Sequence, residues 1–186
     1  TKVVEMSEHK DIIYVDNNAT TSLDPEVLQA MQAYLTDCYG NPSSVYPFAG
    51  PAASAIASAR QSVAELLQAS PEEIIFTSSG TEANNTAIMS AIQTQQGRNK
   101  IVSTVVEHPA VLNLCRALQK RGYVVDYISV DSQGRLDLDE ARELIDDNTA
   151  IVSVMMANNE TGNIYPVYEL AQLAHEKGAL FHCDAV

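Results

Sequence analysis

The sequence predicts an α/β fold, a mostly parallel sheet with helices on both faces. Two observations carry that expectation. Strand-like apolar runs alternate with helix-like segments about five times along the chain. The later runs, such as "KIVSTVV" and "AIVSVMM", are close to continuously apolar, which suits strands buried on both faces. The 186 residues are 46% apolar, enough for one core of this kind.

From the N-terminus, "IIYV" (residues 12–15) reads as a short strand. Asp24-Pro25 reads as an N-cap followed by proline at the first helical position, opening a helix through Val27, Met31 and Tyr34 that ends near Gly40. Residues 40–51, "GNPSSVYPFAGP", form a loop of turn residues, and an alanine-rich helix runs from Ala52 to Gln68. "EEIIFT" is a strand, and "SSGTEANNTAIMSAI" is a tight turn opening into a helix. "KIVSTVV" is a strand, followed by a helix with Pro109 at its start and Gly122 past its end. "YVVDYISV" is a strand, and Asp137 and Glu140 stand at capping-box spacing for the next helix. "AIVSVMM" is a strand, "ANNETGNIYP" a loop, "VYELAQLAHEKG" a helix and "ALFHC" a last strand. Residues 1–50 read as an arm and first helix, and residues 51–186 as the sheet domain.

Charge and cysteine content exclude several functions. The formal charge is −13 with only 11 Lys and Arg and no basic stripe, which argues against nucleic acid and against an anionic membrane surface as partners. Cys38, Cys115 and Cys183 are odd in number and widely spaced, with no CxxC pair, which suits a reducing cytoplasmic setting. No run reaches transmembrane length and no secretory leader opens the chain, which starts on Thr1. No metal-ligand spacing is present.

Ligands of open α/β sheets sit beyond the carboxyl ends of the strands, so the residues just past each strand matter most. Four ends are polar: Thr77 to Glu82, Glu107-His108, Asn158 to Gly162, and Asp184. "SSGTEANN" leads small residues straight into a helix whose first N–H groups lack internal partners. That segment is either a phosphate cup or a helix cap with nothing bound; it is neither GxGxxG nor GxxxxGK[ST]. His108, before Pro109, is either a cap or a ring stacked on a flat ligand and able to move protons. His182, inside the last strand, reads as a packed histidine rather than a working one. "NNETG" offers amide donors and acceptors or simple turn chemistry, with Glu160 tied to nearby backbone. A carboxylate at a strand tip, Asp184, needs a cation or several donors, and the protonated ring nitrogen of a cofactor would serve. A phosphate cup, a stacking histidine, an asparagine and a strand-end aspartate together describe a site for pyridoxal 5′-phosphate.

The stretches "YVDNNATT", "YGNPSS", "FTSSGTEANNTAI", "VVEHPAVL", "GRLDLDE", "VSVMMANNETG" and "FHCDAV" resemble, in order and spacing, the N-terminal half of cysteine desulfurases of the nitrogen-fixation (NifS-like) type, within the class V aminotransferases. The resemblance implies the large domain of a fold type I pyridoxal-phosphate-dependent transferase. Gly80 and Thr81 would hold the cofactor phosphate. His108 would stack on the ring and assist proton transfer, Asn159 would contact the phenolic oxygen, and Asp184 would pair with the pyridine nitrogen. Asn17, Asn18, Ala19 and Asn41 would line the substrate side. The implied reaction takes L-cysteine to L-alanine and leaves sulfur as an enzyme persulfide for an iron–sulfur scaffold protein, in a cytoplasmic homodimer. The family's Schiff-base lysine, catalytic cysteine and substrate-carboxylate arginine have no counterpart in the chain. None of Lys2, Lys10, Lys100, Lys120 and Lys177 stands at a strand tip. The chain is therefore expected to be a fragment ending before the lysine loop, inactive and aggregation-prone alone. A selenocysteine lyase, an aminotransferase of the same family, or a non-catalytic α/β binding module are the alternatives.

Overall fold

A computed structural model describes residues 13–186 and forms two compact units, the second running from Phe76 to Val186. The first unit, ending at Ile75, carries α1 (Pro25–Thr36), a 3-10 turn (Pro47–Ala49), α2 (Gly50–Leu67) and a second 3-10 turn (Pro71–Glu73). Asp24 Oδ1 accepts from the Glu26 N–H at 2.8 Å and Pro25 takes the first helical position, as the Asp-Pro pair predicts. The loop between the helices folds back tightly. A side chain at Gly40 would meet Phe48 O at 2.8 Å, so only glycine fits, and Tyr39 packs edge-on against Phe48 beside it.

The second unit is the α/β domain. Its elements are α3 (Gly80–Thr94), β1 (Lys100–Thr104), α4 (Pro109–Gln119), β2 (Val124–Ile128), α5 (Leu138–Leu144), β3 (Thr149–Met155), α6 (Val167–Glu176) and β4 (Leu180–Asp184). The sheet order is β2-β1-β3-β4 and all three pairings are parallel. Consecutive strand residues face opposite ways, and each way meets a core. Ile101, Val125 and Ile151 pack with Ile88 and Ile92 of α3 and Val111, Cys115 and Leu118 of α4. Val102, Val152 and Val154 pack with Ala141 of α5 and Leu170 and Ala174 of α6. Helices thus cover both faces, which is why the strands read as unbroken apolar runs. Each fully buried Ile, Leu or Val stabilises the unit by about 1.5–3 kcal/mol.

Two expected strands do not form. Of residues 12–15, Ile12 lies outside the described residues, and Ile13 to Val15 make no ladder and expose their side chains. In "EEIIFT", Pro71–Glu73 is a 3-10 turn and residues 74–77 run without strand pairing, with Ile75 and Phe76 exposed. The physical reason is the same for both: β-propensity marks a segment that fits a sheet, but a strand exists only where a neighbour takes its hydrogen bonds. The expected capping box at Asp137 is half made. Asp137 Oδ1 accepts from the N–H groups of Asp139 and Glu140, both at 3.0 Å, while Glu140 turns away to accept from Ser129 N and Oγ at 2.6 Å.

The chain leaves β1 towards β2 on one side and β3 towards β4 on the other. The strand order therefore reverses between β1 and β3, and the crevice beyond their carboxyl ends is the position where such sheets bind ligands.

Candidate functional site

Glu107, two residues before α4, lies just past the end of β1. Its Oε1 accepts from Thr104 Oγ1 at 2.8 Å and from Met155 N at 2.9 Å, tying the exit of β1 to the last residue of β3. The residue is 4% exposed, and Oε2 is buried with no hydrogen-bond partner among the described residues. Burial pushes the Glu107 carboxyl up to about 7, and the charge of Asp184 adds to the rise.

Asn158 holds the loop after β3. Its Nδ2 donates to Val106 O at 3.1 Å, and its Oδ1 accepts from Glu160 N, Thr161 N and Thr161 Oγ1. The loop is thereby fixed by the buried asparagine, and the expected site residue Asn159 stands next to it with its side chain exposed. Glu160 is bonded through its backbone N–H, so the loop rests on Asn158 rather than on the Glu160 carboxylate.

His108 is the N-cap of α4: its Nδ1 accepts from Ala110 N at 3.1 Å, and the ring is exposed. This gives one ring nitrogen a backbone partner at the start of α4, just beyond the end of β1. Gly80 and Thr81 open α3, where Ser79 Oγ accepts from Glu82 N at 3.2 Å. The first N–H groups of that helix have no intrahelical acceptor, and the macrodipole favours an anion there. Glu82 folds back onto Ser78, accepting from its N at 2.7 Å and its Oγ at 2.6 Å, and those bonds hold the carboxyl below the usual range.

Asp184 ends β4 and is 9% exposed. Its Oδ2 accepts from Asn84 Nδ2 of α3 at 2.7 Å, and its Oδ1 accepts from Val186 N at a long 3.3 Å. A Cβ at Gly80 would meet Val186 Cγ2 at 3.0 Å, so the opening of α3 lies against the tip of β4. The fold therefore gathers Gly80 and Asp184 into one neighbourhood. His108 and Asn159 enter from the ends of β1 and β3, and among the described residues no hydrogen bond joins His108 to Asp184.

Sequence reasoning missed Asn84 and Ser153, and it placed Glu107 at a polar strand end without the buried role the fold gives it. His182 is packed, as expected, but it is also bonded on both ring nitrogens: Nδ1 to Ser153 Oγ at 2.8 Å and Nε2 to Asn84 Oδ1 at 3.2 Å. A polar residue inside an apolar strand or an early helical turn was the available signal, since each must find a partner when buried.

The donor set fits pyridoxal 5′-phosphate. A buried strand-end carboxylate has one short donor and spare acceptor capacity, and a helix N-terminus stands beside it, opened by Gly80, where an added Cβ would come within 3.0 Å of a Val186 methyl.

Residues 13–186 match the Aminotransferase class-V family. A cysteine desulfurase of Nostoc sp. (strain PCC 7120 / SAG 25.82 / UTEX 2576) is 52% identical over 175 residues, which is 94% of this chain and 44% of that protein. The solved structure of a NifS-like protein superposes with a TM-score of 0.88 at 40% identity, covering 92% of this chain and 48% of that one. SspA in complex with cysteine superposes at 0.84 with 32% identity, over 89% of this chain and 48% of that one. The chain thus spans less than half the length of the proteins it matches. It belongs to the class-V aminotransferase family, whose members are pyridoxal 5′-phosphate-dependent enzymes, and it carries part of their α/β fold.

Proposed function

We propose that the protein carrying this chain is a cysteine desulfurase, converting L-cysteine to L-alanine and passing the sulfur through an enzyme persulfide to iron–sulfur cluster assembly. The observation that carries the reading is Asp184, a buried acid at the tip of β4 beside the opening of α3. The naming of the similar proteins as cysteine desulfurases, and the cysteine bound to SspA, support the substrate. When bound, pyridoxal phosphate supplies an electron sink through its protonated ring nitrogen.

In this reading Asp184 binds that nitrogen and keeps it protonated. The N–H groups of Gly80 and Thr81 and the Thr81 hydroxyl take the phosphate. Asn159 donates to the phenolic oxygen. His108, held by Ala110 N, covers the ring and moves a proton at Nε2, the nitrogen that its capping bond leaves open. The sulfur carrier is not one of the cysteines of the sheet domain. Burial pushes Cys115 up to about 11 and raises Cys183 too, so both remain thiols at neutral pH. Of the described lysines, Lys100 starts β1 and is paired with Asp126 and Asp146, while Lys120 and Lys177 come directly after α4 and α6. None of these described lysines lies at the carboxyl edge, which supports the reading that the 186 residues alone bind the cofactor weakly and turn over no cysteine. The full-length protein works as a cytoplasmic homodimer that hands sulfur to a scaffold protein, in nitrogen fixation or general cluster assembly.

The test is the full-length protein, loaded with pyridoxal phosphate and given L-cysteine. Alanine released in step with reducible protein-bound sulfur is the expected result. Alanine from selenocysteine but not from cysteine, or amino transfer to a keto acid, overturns the desulfurase reading in favour of another activity of the family.

A further inference from the structure

Four side chains from α3, β3 and β4 form one continuous hydrogen-bond chain beneath the crevice: Ser153, His182, Asn84 and Asp184. Their roles are set from the acid end. The Asp184 carboxylate only accepts, so Asn84 must present Nδ2 to it, at 2.7 Å. The Asn84 oxygen then faces His182 Nε2 at 3.2 Å and also only accepts, so Nε2 carries the proton. In the neutral ring Nδ1 is a lone pair, and Ser153 Oγ donates to it at 2.8 Å. Every donor therefore points the same way, from Ser153 towards Asp184.

The ring is neutral because burial lowers its pKa. Asp184, on its own strand, is the charged group that opposes the shift, while α3 and β3 face it with Asn84 and Ser153, which do not titrate. Ser153 is sealed in the sheet as the register partner of His182, so the pair is no nucleophilic site: no substrate reaches it.

We propose that Asn84, His182 and Ser153 are positioning residues, a one-directional relay that locks the orientation of Asp184 so that Oδ1 is presented to the cofactor. Turning the Asn84 amide over would set two acceptors against each other at Asp184 and two donors at His182, so the relay resists rotation at both ends. Among the described residues Oδ2 already takes one short bond, and Oδ1, with only the long contact from Val186 N, is the oxygen with more capacity left for a further donor. The proposal rests on the reading of Asp184 as the cofactor's partner.

The test has two arms on the full-length protein. Nitrogen-15 NMR of the cofactor-free wild type needs no variant. It should show His182 at pH 7 as the neutral tautomer with the proton on Nε2; an Nδ1–H tautomer or an imidazolium overturns the relay. In N84D a carboxylate would face His182, and the ring should bind its proton about tenfold more tightly. The second arm is pyridoxal phosphate affinity. N84A should weaken it about tenfold, whereas H182Q, which keeps one acceptor and one donor, stays within about threefold of wild type. Unchanged affinity in N84A, with D184N still weakened, overturns the relay alone. Unchanged affinity in D184N, with the NMR result intact, overturns the cofactor reading of Asp184 and with it the relay's purpose.

Discussion

Glu107 is the residue where burial and charge conflict most. One carboxyl oxygen is bonded twice and the other is buried unpaired among the described residues, with Asp184 adding like charge and Cys115, Cys183 and Tyr165 all feeling its charge in turn. Its pKa is near 7 in the fold against an ordinary 4.5, so the folded state binds the extra proton between those values. The stability that this contributes is complete below the ordinary value and lost as pH rises through about 7, a loss on the order of 3 kcal/mol. E107Q keeps the acceptor for Thr104 and Met155 and removes the titration. Urea unfolding from pH 5 to 8 should therefore show a falling wild-type stability that is flatter in E107Q. His182 works in the opposite sense. Its pKa is lowered in the fold, so its contribution is present above its ordinary 6.5 and lost as pH falls through the folded value. H182Q should lose less stability than wild type on acidification, in the same titration. Neither effect was legible in sequence. Asn84 and Asp184 stand 100 positions apart, and only the packing of α3 against β4 joins them.

At the scale of elements, helix boundaries were legible because caps are local chemistry. Asp24-Pro25, His108-Pro109 and Asp137 each cap the helix they precede, and Gly122 stands just past α4 with a positive φ of 94°. D137A removes two accepted bonds from the opening of α5 and should cost about 1 kcal/mol in unfolding free energy. Strands were legible only where they are paired: Ile13 to Val15 and residues 74–77 have the composition but no partner. Lys100 shows the opposite, a charge inside a buried strand that composition would place outside. Its Nζ lies 3.0 Å from both Asp126 and Asp146, pinning β1 to β2 and to the turn before β3, and those bonds outweigh burial and raise its pKa. K100M leaves the two carboxylates with solvent access, so its cost should be about 1–2 kcal/mol rather than that of a sealed pair. A midpoint shift in urea with an unchanged slope would show it.

For the whole molecule, the parallel sheet with helices on both faces was legible from alternation and apolar runs, although two further strands expected from the same signal do not form, and the polar strand ends were legible as positions in the chain. What sequence could not show is which partners the fold gives those residues, such as Asn84 for Asp184 and Ala110 N for His108. α1 buries no residue, and Val27, Leu28, Met31 and Leu35 lie open to solvent. The 186-residue chain should therefore self-associate, and since its charge of −13 opposes contact, association should rise with salt up to about 0.5 M in sedimentation experiments. The central claim is that pyridoxal phosphate sits at the carboxyl edge of the sheet against Asp184. A crystal structure of the full-length protein with the cofactor bound tests it most directly. The expected result is the ring nitrogen at about 2.8 Å from an Asp184 oxygen, with the phosphate on the N–H groups of Gly80 and Thr81. A ring seated elsewhere, or an Asp184 carboxylate turned away from it, would contradict the account.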